Sequence, residues 1–177
     1  MARYMAFLRA INVGGHTVTM ERLREIFVRL ELNDVETFIA SGNVTFCTRA
    51  SAARALETRI AARLERELGY AVATFLRSPA ELAAIVRHRA FTGAAADGPL
   101  YVGFLAREPA AAALRQLRAL TPDGDSLAAH GRELYWRCAT GMGRSTVSGA
   151  MIEKALGQAA TFRRSTTVQK LAARYAE

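Results

Sequence analysis

The order of its elements constrains this chain more than any single motif, because a β-α-β-β-α-β pattern runs along it twice. Residues 4–9 read as a buried strand, and Ile11-Asn12-Val13-Gly14-Gly15 as its exit into a glycine turn. Thr19 is placed to cap a helix whose apolar residues Met20, Leu23, Ile26, Phe27 and Leu30 follow helical spacing. Residues 35–39 and 44–47 read as strands joined by Ser41-Gly42-Asn43, where Gly and Asn tolerate the positive φ of a hairpin turn. Leu56, Ile60, Leu64 and Leu68 then line one helix face ahead of Gly69, and residues 72–76 close the set as a strand.

A linker helix over 78–89 opens on Ser78-Pro79-Ala80-Glu81, an N-cap, a proline at the first helical position and a glutamate two further on, which together make a capping box. Residues 92–99, rich in Gly and Ala and carrying Asp97-Gly98, read as an interdomain linker. The pattern then restarts. Residues 100–105 are a strand, and Tyr101-x-x-Phe104-Leu105 repeats Tyr4-x-x-Phe7-Leu8. Pro109 opens a helix carrying Leu114, Leu117 and Leu120, and residues 127–130 and 134–138 form a hairpin across Gly131. A helix through Met151, Ile152, Ala155 and Leu156 stops at Gly157, residues 160–163 are a strand, and a last helix begins at Thr166, with Gln169 three residues on making a second capping box. The expected fold is α+β: a tandem duplication of a ferredoxin-like βαββαβ unit, two α/β-plait subdomains with an extra C-terminal helix. Its subdomains are expected at residues 1–91 and 92–177.

Charge is the one unusual entry in the composition. The formal net charge is +8, with 24 basic and 16 acidic residues, and all the basic ones except Lys154 and Lys170 are arginine. Together with 35 alanines, that excess fits a coding bias as well as an adaptation to a ligand. Clustering is a separate matter. From Thr140 to the end, Arg144, Lys154, Arg163, Arg164, Lys170 and Arg174 face only Glu153 and Glu177, a local excess that fits an acidic partner such as phosphate, nucleic acid or an acidic protein surface. The arginines of the 50–68 helix alternate with glutamates and read as solvated surface. No apolar run reaches the about 18–20 residues that span a bilayer, so no membrane association is expected. Cys47 and Cys138 read as buried thiols in a reducing cytoplasm, and His16, His88 and His130 lack partners at metal-ligand spacing, so neither a metal nor a cofactor is expected.

Three loops hold chemistry-bearing residues. At the first strand exit, Gly14 and Gly15 allow backbone N–H groups to approach a ligand, with Arg9 and Asn12 placed to bind an anion or an amide. The hairpin tip offers Ser41 and Asn43, with no G-x-S-x-G elbow and no activating base marked by sequence. Gly141-Met142-Gly143-Arg144-Ser145-Thr146 lies just ahead of a helix and has the ingredients of an anion nest. It fails the Walker template, with Cys138 and Arg144 in place of Gly and Lys, and the dinucleotide template, with Thr146 in place of Gly.

The same segments carry a family resemblance. Leu8-Arg9-Ala10-Ile11-Asn12-Val13-Gly14-Gly15, Ser41-Gly42-Asn43-Val44, Gly143-Arg144-Ser145, Glu153-Lys154-x-Leu156-Gly157, Thr161-x-Arg163 and Thr167-Val168-x-Lys170-Leu171 resemble the bacterial DUF1697 family in order along nearly the whole chain. The resemblance implies two ferredoxin-like subdomains and no particular activity. Two departures stand out: Ala10 takes the place of the usual Gly, and Arg164-Ser165-Thr166 that of Asn-Trp-Asn. With Trp136 the sole tryptophan, set in a hairpin strand, a base-stacking platform is poorly supported.

The expected function is anion binding in the cytoplasm. Gly141, Gly143 and Ser145 would donate to the ligand, and Arg144, Lys154 and Arg163 would supply charge. One alternative is an enzyme acting on a small phosphorylated or carboxylated substrate, with Arg9, Asn12 and Ser41 near Ser145 in the cleft between subdomains. Another is a non-catalytic protein-interaction module.

Overall fold

A computed structural model describes residues 1–39, 41–92 and 98–175. The doubled pattern becomes two four-stranded antiparallel sheets. In the first half, β1 (Ala2–Leu8), α1 (Met20–Val28), β2 (Asn33–Thr37), β3 (Asn43–Thr48), α2 (Ala53–Leu68), β4 (Thr74–Arg77) and α3 (Pro79–Arg87) follow in order. The second half repeats the sequence as β5 (Leu100–Leu105), α4 (Ala111–Leu120), β6 (Ser126–His130), β7 (Glu133–Arg137), α5 (Gly149–Leu156), β8 (Ala160–Arg164) and α6 (Ser165–Arg174). Strand orders are β2-β3-β1-β4 and β6-β7-β5-β8, so each strand of one sheet has its counterpart in the other. The chain divides into two compact units, Met1–Leu82 with Tyr175, and Ala83–Arg174, the division falling inside α3. The expected linker over 92–99 lies mostly outside the described residues.

In the first unit, alternation along β1 sends Ala6 and Leu8 to the face that α1 and α2 cover. They pack there with Val44, Phe46 and Leu76 against Leu23, Ile26 and Phe27 of α1 and Leu56, Ile60 and Leu64 of α2. The Thr19 cap forms, its hydroxyl accepting from Arg22 N, and Gly69 ends α2 in the left-handed conformation. Glu57, buried on α2, accepts a hydrogen bond from Leu76 N of β4 at 2.8 Å, so a charged group on the helix pins the strand beneath it. Many of this half's arginines are engaged locally. Burial acts upward on the Glu67 carboxyl, but Arg63, Arg22 and Arg29 gather round it and hold its pKa below the ordinary value.

In the second unit, Leu105, Leu134 and Trp136 pack against Leu117 of α4 and Ile152 and Leu156 of α5. The Trp136 indole N–H donates to Asp125 at 2.9 Å, so the buried ring keeps its donor satisfied. Gly103 sits on this face because Phe162 crosses it: a Cβ there would lie 2.5 Å from the ring. The opposite face of β5 presents Leu100 and Val102, paired in register with Arg137 and Tyr135 of β7, and α6 packs over β5 and β8.

The structure shifts several expected boundaries. The last helix starts at Ser165, one residue before the sequence spacing indicates, and the linker helix is trimmed to Pro79–Arg87. Its capping box is formed in both directions, Glu81 N donating to Ser78 Oγ at 3.2 Å and Ser78 N to Glu81 Oε2 at 2.7 Å. At the β2–β3 turn the left-handed conformation falls on Gly42 and Ile39, while Asn43 is already the first residue of β3. Ala40 lies outside the described residues. Cys47 and Cys138 are free, buried and in different units.

Candidate functional site

The structure joins the first two candidate loops within the first unit. Leu8 N donates to Gly42 O at 2.9 Å, and a Cβ on Gly42 would lie 2.9 Å from that of Ile11, so the hairpin tip rests on the β1 exit. Their polar side chains hold backbone. Asn12 Oδ1 accepts from Val18 N at 2.7 Å and closes the loop on itself. Asn43 is buried, and its amide donates to Phe38 O at 3.0 Å and Ser41 Oγ at 2.9 Å. Arg9 N donates to Ala73 O, and Gly14 and Gly15 both take positive φ with open space where a Cβ would stand.

The remaining predicted residues belong to the second unit. Gly141-Met142-Gly143-Arg144 makes a single 3₁₀ turn whose N–H groups are partly engaged: Arg144 N meets Gly141 O at 3.0 Å, and Met142 N meets the Tyr101 hydroxyl at 3.3 Å. Ser145 Oγ accepts from Val147 N, and the Arg144 side chain, exposed, donates from Nε to Thr140 O. Lys154 is exposed on α5, beside a recess of about 490 Å³ lined by Leu120, Met151 and Ala155. Arg163 is different. It is only 8% exposed, with Nη1 donating to Thr161 Oγ1 at 2.8 Å and to Phe162 O at 2.9 Å, and burial draws its pKa down to about 10. It is still a cation at neutral pH, seated in the sheet and not on the surface beside Arg144.

A second cluster of cations takes Arg164 from the C-terminal basic run and otherwise uses arginines not among the candidate site residues read from sequence. Two recesses of the second unit, about 560 and 340 Å³, share a wall of Leu100, Arg137 and Gln169. Arg87, His88, Arg89 and Phe91 line the larger one, where α3 ends. Arg164, the last residue of β8, and Ser165 and Thr166, which start α6, line the smaller one, with Gly98 and Pro99. A narrow apolar extension reaches inward past Ile85, Val102, Tyr135 and Val168. Arg87, Arg89 and Arg164 are exposed, and Arg137 is half-buried. No Asp or Glu is among the described residues lining either recess. Low-dielectric walls around charge of one sign concentrate its field on whatever enters.

Aromatic rings fix two of these guanidinium groups. Arg137 lies over Phe91 at 5.7 Å from the ring centre and donates from Nη1 to Gly98 O, while its buried Nε has no hydrogen-bond partner among the described residues. Arg164 lies over Tyr101 at 5.8 Å. His88 stacks on His130 of β6, with ring centres 4.3 Å apart, and leans on Tyr135 at 4.8 Å. Burial pushes the His88 pKa down, His130 pushes it further, and Glu133 pulls the other way.

Arg87, Arg89, Arg137 and Arg164 come from three separate stretches of chain, so no spacing motif marks them. The legible signals were the Arg87-His88-Arg89 run and the Arg164-Ser165-Thr166 departure noted above, whose three residues all line the smaller recess. Among the described residues, no group of three or more His, Cys, Asp or Glu is placed to hold a metal ion, and no helix is long and apolar enough to cross a membrane.

No curated protein matches the chain. Among solved structures, the conserved bacterial protein SP0830 from Streptococcus pneumoniae is similar in fold, with a TM-score of 0.69 at 20% sequence identity over 100% of this chain and 99% of that one. The family described as protein of unknown function (DUF1697) matches residues 1–135, so the segments at 143–171 lie beyond the matched region. The match covers most of the sequence, and the chain belongs to the DUF1697 family.

Proposed function

We propose that this protein binds a phosphate-bearing ligand in the arginine-lined cleft of its second unit. The reading rests on one observation: Arg87, Arg89, Arg137 and Arg164, from three parts of the chain, meet around two adjoining recesses whose described lining holds no carboxylate. A guanidinium presents its donors in a rigid fork that matches phosphate oxygens, and it stays charged at any physiological pH. The hydroxyls of Ser165 and Thr166 add donors at the first turn of α6, the end of a helix that favours negative charge. The Gly141–Ser145 loop supports this function less well, because several of its donors are already engaged within the unit. The repeated strand orders support a ferredoxin-like description of each unit. Two thiols, buried in separate units, suit a protein of the reducing cytoplasm.

Thermal unfolding tests the reading. At matched low ionic strength, phosphate should raise the Tm of the wild-type protein where chloride does not, and Arg137→Gln should remove most of that rise. A phosphate titration that leaves the wild-type Tm where chloride leaves it overturns the proposal.

A further inference from the structure

The cleft has two compartments with one cation between them. Arg137 belongs to the wall that both recesses share, while Arg87 and Arg89 line only the larger recess and Arg164 only the smaller. A single phosphate placed in either compartment leaves the arginines of the other without an anion. Two linked phosphates that share the donor fork of Arg137 would reach towards both sets. The aromatic surface points the same way. The guanidinium group of Arg137 covers a face of Phe91, the ring that lines the larger recess, which a base would otherwise use for stacking. The cleft is therefore furnished for phosphate oxygens more than for planar bases.

Building on the cleft assigned above, we infer that its ligand class carries two or more directly linked phosphate groups, the pyrophosphate unit of a nucleoside diphosphate or a free polyphosphate, with Arg137 bridging the two halves. Joining two anions makes the second contact intramolecular, so the linked ligand should far outbind the single one.

Calorimetric titration of the full chain at low salt with inorganic phosphate, pyrophosphate, ADP and an oligothymidylate tests this. Pyrophosphate should bind at least about 10-fold tighter than phosphate. Arg164→Gln and Arg89→Gln, at exposed positions where folding is not at stake, should each weaken pyrophosphate more than phosphate and so narrow the gap between the two ligands, because each change empties one compartment of a contact that only the linked ligand uses together with the other. ADP matching pyrophosphate would place the unit at a nucleotide terminus, and pyrophosphate ahead of ADP would favour the free chain; both outcomes support the inference. Phosphate and pyrophosphate binding equally would overturn the two-compartment reading and leave the cleft a phosphate site. An oligothymidylate binding tighter than pyrophosphate would overturn it in favour of nucleic acid. If no phosphate compound binds at all, the cleft assignment itself falls.

Discussion

Ala10 shows at one residue how a sequence departure turns into strain. The chain leaves β1 through a turn in which Ala10 takes φ 62° and Asn12 φ 54°, followed by Gly14 and Gly15, also left-handed. An L-residue pays roughly 1–2 kcal/mol for that region, and Asn offsets part of it with local hydrogen bonds, as Asn12 does to Val18 N. Ala10 has no such means. The glycine that the family pattern places there would relieve the strain at some cost in unfolded-chain entropy. Ala10→Gly should therefore stabilise the protein by roughly 0.5–1 kcal/mol. Urea unfolding checks it: an unchanged or lower midpoint means the turn relaxes without strain. Gly42 is the reverse case. Its place against Ile11 leaves no room for a side chain, which is a packing constraint that no propensity argument contains.

At the scale of elements, the histidines illustrate what joining segments adds. In sequence His88 and His130 are isolated, one just past α3 and one ending β6. Folding stacks their rings and buries His88 enough to favour its neutral form. The unfolded chain then binds more protons than the folded one between the lowered His88 pKa and the ordinary value of 6.5. The stability from this group is complete above 6.5 and is lost as the pH falls through that value towards the lowered one. His88→Phe keeps a ring on His130 and removes the titration. The variant should lose less stability than the wild type between about pH 7 and pH 5, measured by denaturant midpoints across that range. Parallel curves would show that the stack is indifferent to protonation. The helices themselves were easier to read. Thr19, the Ser78-Glu81 box, Gly69 and Gly157 stop or start them as the sequence indicates, because caps are local hydrogen bonds and local φ values.

At the scale of the whole molecule, net charge and its arrangement part company. The overall +8 says little, since arginines such as Arg22 and Arg63 of the first unit are paired with Glu67. The cleft arginines, with no described carboxylate lining their recesses, should dominate the response to salt. Stabilisation by phosphate should fade between about 0.1 M and about 1 M inert salt, as the screening length shrinks from about 10 Å to about 3 Å. A Tm rise that persists at high salt would point to a ligand held by other means than charge. The sequence by itself determined the repeated element order, both sheets' strands to within a few residues, the caps at Thr19, Gly69, Ser78-Glu81 and Gly157, and the family, because periodicity, turn chemistry and capping act between near neighbours in the chain. It pointed to the Gly141–Ser145 loop as the site and to Arg163 as a ligand. Only the tertiary structure decided that Arg163 is buried and that several of the loop's donors are spent within the unit, and it alone brought Arg87, Arg89, Arg137 and Arg164 around one cleft. The physical reason is distance along the chain: convergence of residues dozens of positions apart is set by strand order and helix packing, which leave no local trace.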